Sequence, residues 1–430
     1  MSSSGFLVSA PGKVILFGEH SAVYGKPAIA AALSLRTYLL VKPNERPNEI
    51  TLKFDDIELL HSWKIDELPW DKLKPLINIE DGVPEYNEYL VPEIDNILRD
   101  YLGDTTTSRH FIACHCFLYL YVHLCSSDSP GMVFDLKSTL PIGAGLGSSA
   151  SVSVCLSTAF SLLGKHISRP VHEHDEKSAP ASNDTLDFID KWSLIGEKCF
   201  HGNPSGIDNA VATYGGAVMY QRMKSPSLPS VRTTMRNFPS LQLLLTNTKV
   251  PRSTASLVGR VAEIVNTHER CAEAILDAMG HLVASAYEIM IKPDLPQADK
   301  EKLLELVNVN HGLLSALDVS HPSLEKVRII SSSHGIGYTK LTGAGGGGCA
   351  ITLIKDGVKE AEINKAIEEF KNEGYDTFET ALGGKGVGVL DIKDLPAQYS
   401  NKPLHDIFAL NQEELESVLH HNTLQNWKFW

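Results

Sequence analysis

A chain of 430 residues, 43% hydrophobic and 21% charged, has the make-up of a folded protein and exceeds one ordinary core, so two or three domains are expected. Its formal net charge of −13 argues against non-specific binding to nucleic acid or an anionic membrane. Anionic substrates must therefore be held by local Lys, Arg and backbone N–H groups.

In chain order, Phe6–Ala10 reads as a strand ending at Pro11-Gly12, which would aim Lys13 into a cleft. A cation there can hold phosphate and lower the pKa of a nearby carboxyl. Phe17-Gly-Glu-His20 follows. Residues 36–62 alternate apolar and polar and are broken at Pro43, Asn44, Pro47 and Asn48, which predicts a hairpin. Residues 84–124 read as mainly helical, and Val133–Leu136 as a strand running into Pro141–Gly147. From Ser148 the small apolar run SSASVSVCLSTAFSLLG predicts a buried helix. The polar stretch 165–184 reads as a surface loop, and Thr185–Phe200 as an amphipathic helix. Val211–Tyr220 is expected to form strands around Gly215-Gly216. The proline-bearing segment 224–239 is the candidate linker, after which Leu241–Leu245 is a strand. Helices are expected over 256–290, 299–318 and 361–372, with strands at 335–339 and 349–354. Residues 396–430 form a tail with one amphipathic segment. The alternation is not a regular βαβ series, so the fold class is α+β, with domains at 1–235 and 236–395.

The seven cysteines contain no CxxC pair, and Cys114-His115-Cys116 falls inside the apolar run Phe111–Leu124. These are expected to be buried thiols in a reducing compartment, not a metal site. The N-terminal residues carry no basic and apolar signal pattern, and the apolar run is shorter than the ~20 residues of a membrane span. A soluble cytoplasmic protein, with no nucleic-acid or membrane partner, is expected.

Pro141-Ile-Gly-Ala-Gly-Leu-Gly-Ser-Ser149 lies between a strand and a helix. Alternate glycines let the backbone approach a ligand, and the free N–H groups at the helix start make an anion cradle. The hydroxyls of Ser148 and Ser149 can bond phosphate or ligate Mg²⁺. The pattern is not a Walker A loop, because GxxxxGK[ST] is absent. Lys340-Leu-Thr-Gly-Ala-Gly-Gly-Gly-Gly-Cys349 formally contains GxGxxG, but it leads into an apolar strand where a dinucleotide fingerprint needs a helix. Such costly glycine density implies close approach to a ligand or loop. In His201-Gly-Asn-Pro-Ser-Gly-Ile-Asp208 a turn fixes Asp208, which beside a cation can accept a hydroxyl proton. Glu197, near the end of the preceding helix, can share Mg²⁺ with a serine hydroxyl. In Thr246–Thr254, Arg252 can bind a carboxylate and Thr254 a hydroxyl.

Taken together these segments resemble the GHMP small-molecule kinase superfamily (galacto-, homoserine, mevalonate and phosphomevalonate kinases) over nearly all of residues 5–395. PIGAGLGSSAS is the most specific motif and KLTGAGGGGC the C-terminal glycine motif. APGKVILFGEHSAVYGKPA, GEKCFHGNPSGIDNAVATYGG and LLLTNTKVPRST are most similar to its mevalonate kinase family, whereas a galactokinase would carry an aspartate soon after the GEH motif. The resemblance implies ATP and Mg²⁺ as cofactors and mevalonate as phosphoryl acceptor. Asp208 would be the base, or the carboxylate that orients the hydroxyl, with Lys13 beside it and on the phosphates. Ser149 and Glu197 would hold Mg²⁺. Ser138, Pro141, Gly143, Ala144, Gly145, Leu146, Gly147, Ser148 and Ser149 would wrap the triphosphate. Glu19, His20, Arg252 and Thr254 would surround the acceptor. It further implies a ribosomal S5 domain 2-like N-terminal domain, a ferredoxin-like C-terminal domain, a site between them and a homodimer in cytosol or peroxisome. The competing expectations are another GHMP kinase acceptor, such as phosphomevalonate or galactose, and a non-catalytic sensor on the same fold.

Overall fold

The computed structural model describes residues 5–103, 108–141, 143–170, 183–202, 204–223, 230–236, 238, 240–292, 294–395, 405–420 and 426–430. Much of the expected loop at 165–184 and of the linker at 224–239 lies outside them.

One sheet of 13 strands organises the molecule. Its first strands are β1 (Phe6–Phe17) and β2 (Pro27–Pro43), paired antiparallel. Both are buried along most of their length, so they read as near-continuous apolar runs instead of alternating ones. β1 does not end at Ala10. Pro11-Gly12 is absorbed as an irregularity, with the register against β2 shifting between Pro11 and Lys13. Such a bulge twists the strand and re-aims a side chain, here that of Lys13. β3 (Glu49–Phe54) and β4 (Leu59–Lys64) form the hairpin expected within 36–62, and β5 (Met132–Ser138) lies between β2 and β3.

Among the described residues, five helices of eight residues or more belong to this first unit: α1 (Pro92–Leu102), α2 (Ser108–Leu124), α3 (Ser148–Leu163), α4 (Asn183–His201) and α5 (Ile207–Tyr214). α2 is buried from Cys114 to Leu124, with Phe117 stacked on Trp63 and edge-on to Phe134 and Phe160. Burying each such ring stabilises by about 1.5–3 kcal/mol. The cysteines of this run are free and buried, as composition suggested. Residues 211–214, expected as strand, complete α5, and only then do β6 (Ala217–Gln221) and β7 (Val231–Met235) follow. A short apolar run has no period of its own to separate helix from strand.

The second unit carries β8 (Leu241–Asn247), α6 (Thr254–Thr267), α7 (Glu269–Met290), α8 (Gln297–Ala316), α9 (Pro322–Ser333), β9 (Gly337–Leu341), β10 (Cys349–Ile354), α10 (Glu360–Asn372) and β11 (Asp376–Leu382). The helix expected over 256–290 breaks at His268. α9 was not expected, although Pro322 at its first turn and the His321 side chain accepting from Ser323 N–H are ordinary start signals. The spatial order β9-β10-β8-β11, all antiparallel, is the ferredoxin-like arrangement. β11 meets β2 through Leu382 and Leu33, so the two units share one sheet.

The sheet divides the chain differently from the sequence. β12 (Gly388–Asp391) leaves the second unit and pairs with β1, and β13 (Lys428–Phe429) pairs with β12. Residues 405–420 and 426–430 do not form a detached tail. Ile407, Phe408, Leu415, Leu419 and Trp427 bury against Leu7, Tyr38 and Leu40 of β1 and β2. Burial of these apolar side chains is the reason the segment docks. No helix among the described residues is long and apolar enough to cross a membrane.

Candidate active site

The chain leaves β5 through Thr139 and reaches α3 over the glycine loop. Gly143, Gly145 and Gly147 all have positive φ, at 74°, 77° and 72°, a region that side-chain-bearing residues enter only with strain. Space enforces the same choice. A Cβ on Gly145 would fall 2.4 Å from Arg252 Nη2, and one on Gly147 would fall 2.9 Å from Lys13 Cγ. The loop is pinned to β1 by the Lys13 N–H, which donates to the Leu146 carbonyl at 2.8 Å. Leu146 and Ala144 are buried beneath it. Ser148 and Ser149 open α3, where the N–H groups of a helix's first turn have no partners of their own. Ile142 lies outside the described residues. Ser138 sits at the loop's root, its N–H donating to Asp56 Oδ2 at 2.8 Å and its hydroxyl 3.1 Å from that of Thr37.

Four side chains from distant segments converge beside this loop. Lys13 Nζ is 3.2 Å from Asp208 Oδ1, with side-chain exposures of 9% and 34%. Asp208 lies in the first turn of α5, set there by Gly206 at φ 76°. Glu197, on α4, is buried. Its carboxyl is pushed up to about 7 by burial, lowered by a hydrogen bond from Ser149 and by Lys13, and raised further by the charge of Asp208. Glu197 Oε1 has no hydrogen-bond partner among the described residues. An orphaned oxygen on a buried carboxyl that also bonds a hydroxyl fits a divalent cation, and Mg²⁺ characteristically takes one or two protein ligands and leaves the rest to phosphates and water. The sequence reading missed His201, whose Nε2 lies 3.1 Å from Ser149 Oγ. It ends the same helix as Glu197, one turn on, which is the signal that could have found it.

Arg252 joins the two glycine loops. Its Nη2 donates to the Ala144 carbonyl at 2.9 Å and its Nη1 to the Thr342 carbonyl at 3.3 Å. His20, at φ 62°, has Nε2 2.8 Å from the Ala344 carbonyl. Thr254 opens α6 and is exposed, one residue after Ser253, whose hydroxyl caps that helix by accepting from the Ser256 N–H. Glu19 is placed differently from its neighbours. It is 2% exposed, paired with the fully buried Lys340 and accepting from Asn310 Nδ2 at 3.1 Å. Both its oxygens are engaged inside the protein, so Glu19 braces the turn that carries His20. Lys340 enters the sequence reading only as the first residue of the C-terminal glycine motif, and Asn310 has no place in it. A cavity of about 710 Å³ lined by Ser34, Arg236, Lys385 and Trp430, among others, shares no residue with this cluster.

Comparison with known proteins gives the family. Residues 112–216 match the GHMP kinases N terminal domain and residues 291–376 the GHMP kinases C terminal domain. Over its full length the chain is 54% identical to a mevalonate kinase of Candida albicans, covering 100% of both chains. The chain belongs to the mevalonate kinase family of GHMP kinases. A further member, from Gibberella zeae, is 41% identical over 99% of this chain and 87% of that protein. Among solved structures, Methanococcus jannaschii mevalonate kinase superposes with a TM-score of 0.64 at 25% identity, covering 89% of this chain and 100% of that one. Residues 1–43 also match a galactokinase galactose-binding signature. That match spans Glu19 and His20, yet here Ser21-Ala-Val-Tyr24 follows.

Proposed function

We infer that this mevalonate kinase family member transfers the γ-phosphoryl group of ATP to the primary hydroxyl of (R)-mevalonate. The observation that carries the reading is the meeting of Lys13 and Asp208 beside the 141–149 loop, with Glu197 and Ser149 next to them.

Phosphoryl transfer asks a protein for in-line positioning and charge neutralisation more than for covalent chemistry. The N–H groups of 143–149 wrap the triphosphate. Ser149 and Glu197 hold Mg²⁺, which when bound supplies positive charge to the phosphates. Asp208 accepts or orients the acceptor's hydroxyl proton, and Lys13 beside it neutralises charge on the transferred group. Arg252, Thr254 and His20 provide a guanidinium, a hydroxyl and an imidazole for the acceptor's carboxylate and hydroxyl groups. The working compartment we assign is the cytoplasm, and the working form a homodimer.

The test is a panel of acceptors with an ADP-coupled readout. Mevalonate is expected to be turned over, and phosphomevalonate, homoserine and galactose far less. Turnover of galactose above mevalonate would follow the 1–43 signature instead and overturn the reading, and no ADP release with any acceptor would leave a sensor. Within the same assay Glu197→Gln is expected to raise the Mg²⁺ concentration for half-maximal rate by roughly tenfold or more, because the amide cannot bring negative charge to the cation. An unchanged Mg²⁺ titration would remove Glu197 as a ligand.

A further inference from the structure

The root of the glycine loop is held from the opposite end of the chain. Gln412–Leu419 forms a helix, α11, beyond the segment that matches the GHMP C-terminal domain. The helix starts where it does because Asn411 and Glu414 cap it reciprocally. Glu416 points inward from it. Its Oε1 accepts from the Thr139 hydroxyl at 2.5 Å and its Oε2 from the Tyr38 hydroxyl at 3.2 Å. Burial raises the Glu416 carboxyl above its usual range, while Thr139, Tyr38 and Arg36 oppose that rise.

Thr139 is the first residue after β5 and stands two before Pro141. It is 1% exposed. Its N–H donates to the Arg36 carbonyl at 2.9 Å, and its hydroxyl oxygen accepts from the Arg36 N–H at 2.9 Å. That hydroxyl has one proton and two acceptors in reach, the Arg36 carbonyl at 3.0 Å and Glu416. The carboxylate is nearer and charged, so it takes the proton and fixes the hydroxyl's direction. Arg36 itself is 1% exposed. Its guanidinium donates to Ser9 Oγ at 2.6 Å and to the carbonyls of Ser9, Lys385 and Gly386 at 3.2, 2.8 and 2.5 Å. Every one of those acceptors is neutral. The carboxylate whose charge acts on Arg36 is Glu416, and a buried cation without a counter-charge is costly. Next along the chain, Leu140 packs where a Cβ on Gly12 would lie, 2.3 Å from its Cδ2. Gly12 adjoins Lys13, so the loop's root and the lysine share one contact.

We propose that Glu416 is a positioning residue for the nucleotide-binding loop: through Thr139 and Arg36 it sets where the 139–149 segment enters the site, so the C-terminal segment tunes ATP use and not acceptor use. The proposal rests on reading 141–149 as the triphosphate loop.

The experiment uses the full chain carrying Glu416→Ala, Glu416→Gln, Thr139→Val, or Glu416→Ala with Thr139→Val. KM is measured for ATP at saturating mevalonate and for mevalonate at saturating ATP, with thermal melts alongside. Glu416→Ala is expected to raise KM for ATP about tenfold, the scale of one buried charge-assisted hydrogen bond, with KM for mevalonate unchanged within about twofold. Glu416→Gln, which keeps an acceptor for Thr139, should recover most of the loss. Thr139→Val should reproduce the Glu416→Ala effect, and the double variant should be no worse than either single one. Equal rises in both KM values, additive single effects, or an unchanged KM for ATP would overturn the proposal. If Glu416→Ala does not fold, Thr139→Val decides alone, since it leaves the apolar docking of α11 intact. Wild-type chain that fails to turn over ATP and mevalonate would sink the underlying function, whereas normal wild-type turnover with an unaltered Thr139→Val would sink this inference only.

Discussion

Asp208→Asn is expected to lower kcat by about a thousandfold, within the range attributed to a lost general base and its electrostatic partner. The substitution keeps the size and planarity of the group and removes only its charge and its capacity to take a proton. Lys13 Nζ, 3.2 Å away, would then face a neutral amide and lose the partner that aims it at the transferred group. KM for both substrates should change little, because the lost interaction matters most as charge moves in the transition state. The side chain of Asp208 is 34% exposed, so the fold should be unaffected and the thermal melt should match that of the parent. Single-turnover measurements with γ-labelled ATP separate the chemical step from product release. A kcat within tenfold of the parent would show that Asp208 neither accepts the proton nor orients the hydroxyl.

The second large effect concerns stability. Lys340 and Glu19 form an ion pair whose side chains are 0% and 1% exposed. The ammonium pKa is lowered by burial, against the opposing pull of Glu19. Lys340→Met leaves the Glu19 carboxylate in the interior with Asn310 as its remaining hydrogen-bonding partner, a change expected to destabilise by about 3–5 kcal/mol. Pairing it with Glu19→Gln removes the stranded charge and should restore much of that loss. Urea unfolding followed by tryptophan fluorescence and far-UV circular dichroism tests this order. A double variant less stable than Lys340→Met would show that the pair contributes by more than mutual neutralisation. Because Glu19 precedes His20, and His20 contacts Ala344 of the second glycine loop, the same variants should also weaken acceptor binding.

What the sequence revealed about the site depended on how local each signal was. The 141–149 loop was legible because its information is contained in nine residues: glycines at alternate positions, each later found at positive φ, then serines at a helix start. Lys13 is expected just after a short strand, and the structure places it inside a longer one. Pro11-Gly12 reads as the end of a strand, but β2 continues to pair across it, and the dipeptide is accommodated as a register shift. Pairing across the sheet overrode local turn chemistry. The resemblance puts Glu19 around the acceptor, and its pairing with Lys340 is a tertiary contact that no spacing rule predicts. The ferredoxin-like half was legible as alternating helices and strands. The return of β12 to β1, with β13 at its side, was not, because such short strands carry no signature of the sheet they will join. His201 and Glu416 escape the sequence for the same reason: both matter through long-range contacts.

That returning strand has a consequence for biosynthesis. Phe6–Ser9 leave the ribosome almost a full chain length before Gly388–Asp391, the residues that pair with them. At about 5–20 residues per second, one border of β1 waits on the order of a minute without its hydrogen-bonding mate. The N-terminal half therefore cannot complete its own sheet while translation proceeds, and its nascent form presents a bare apolar border of the kind that chaperones shield.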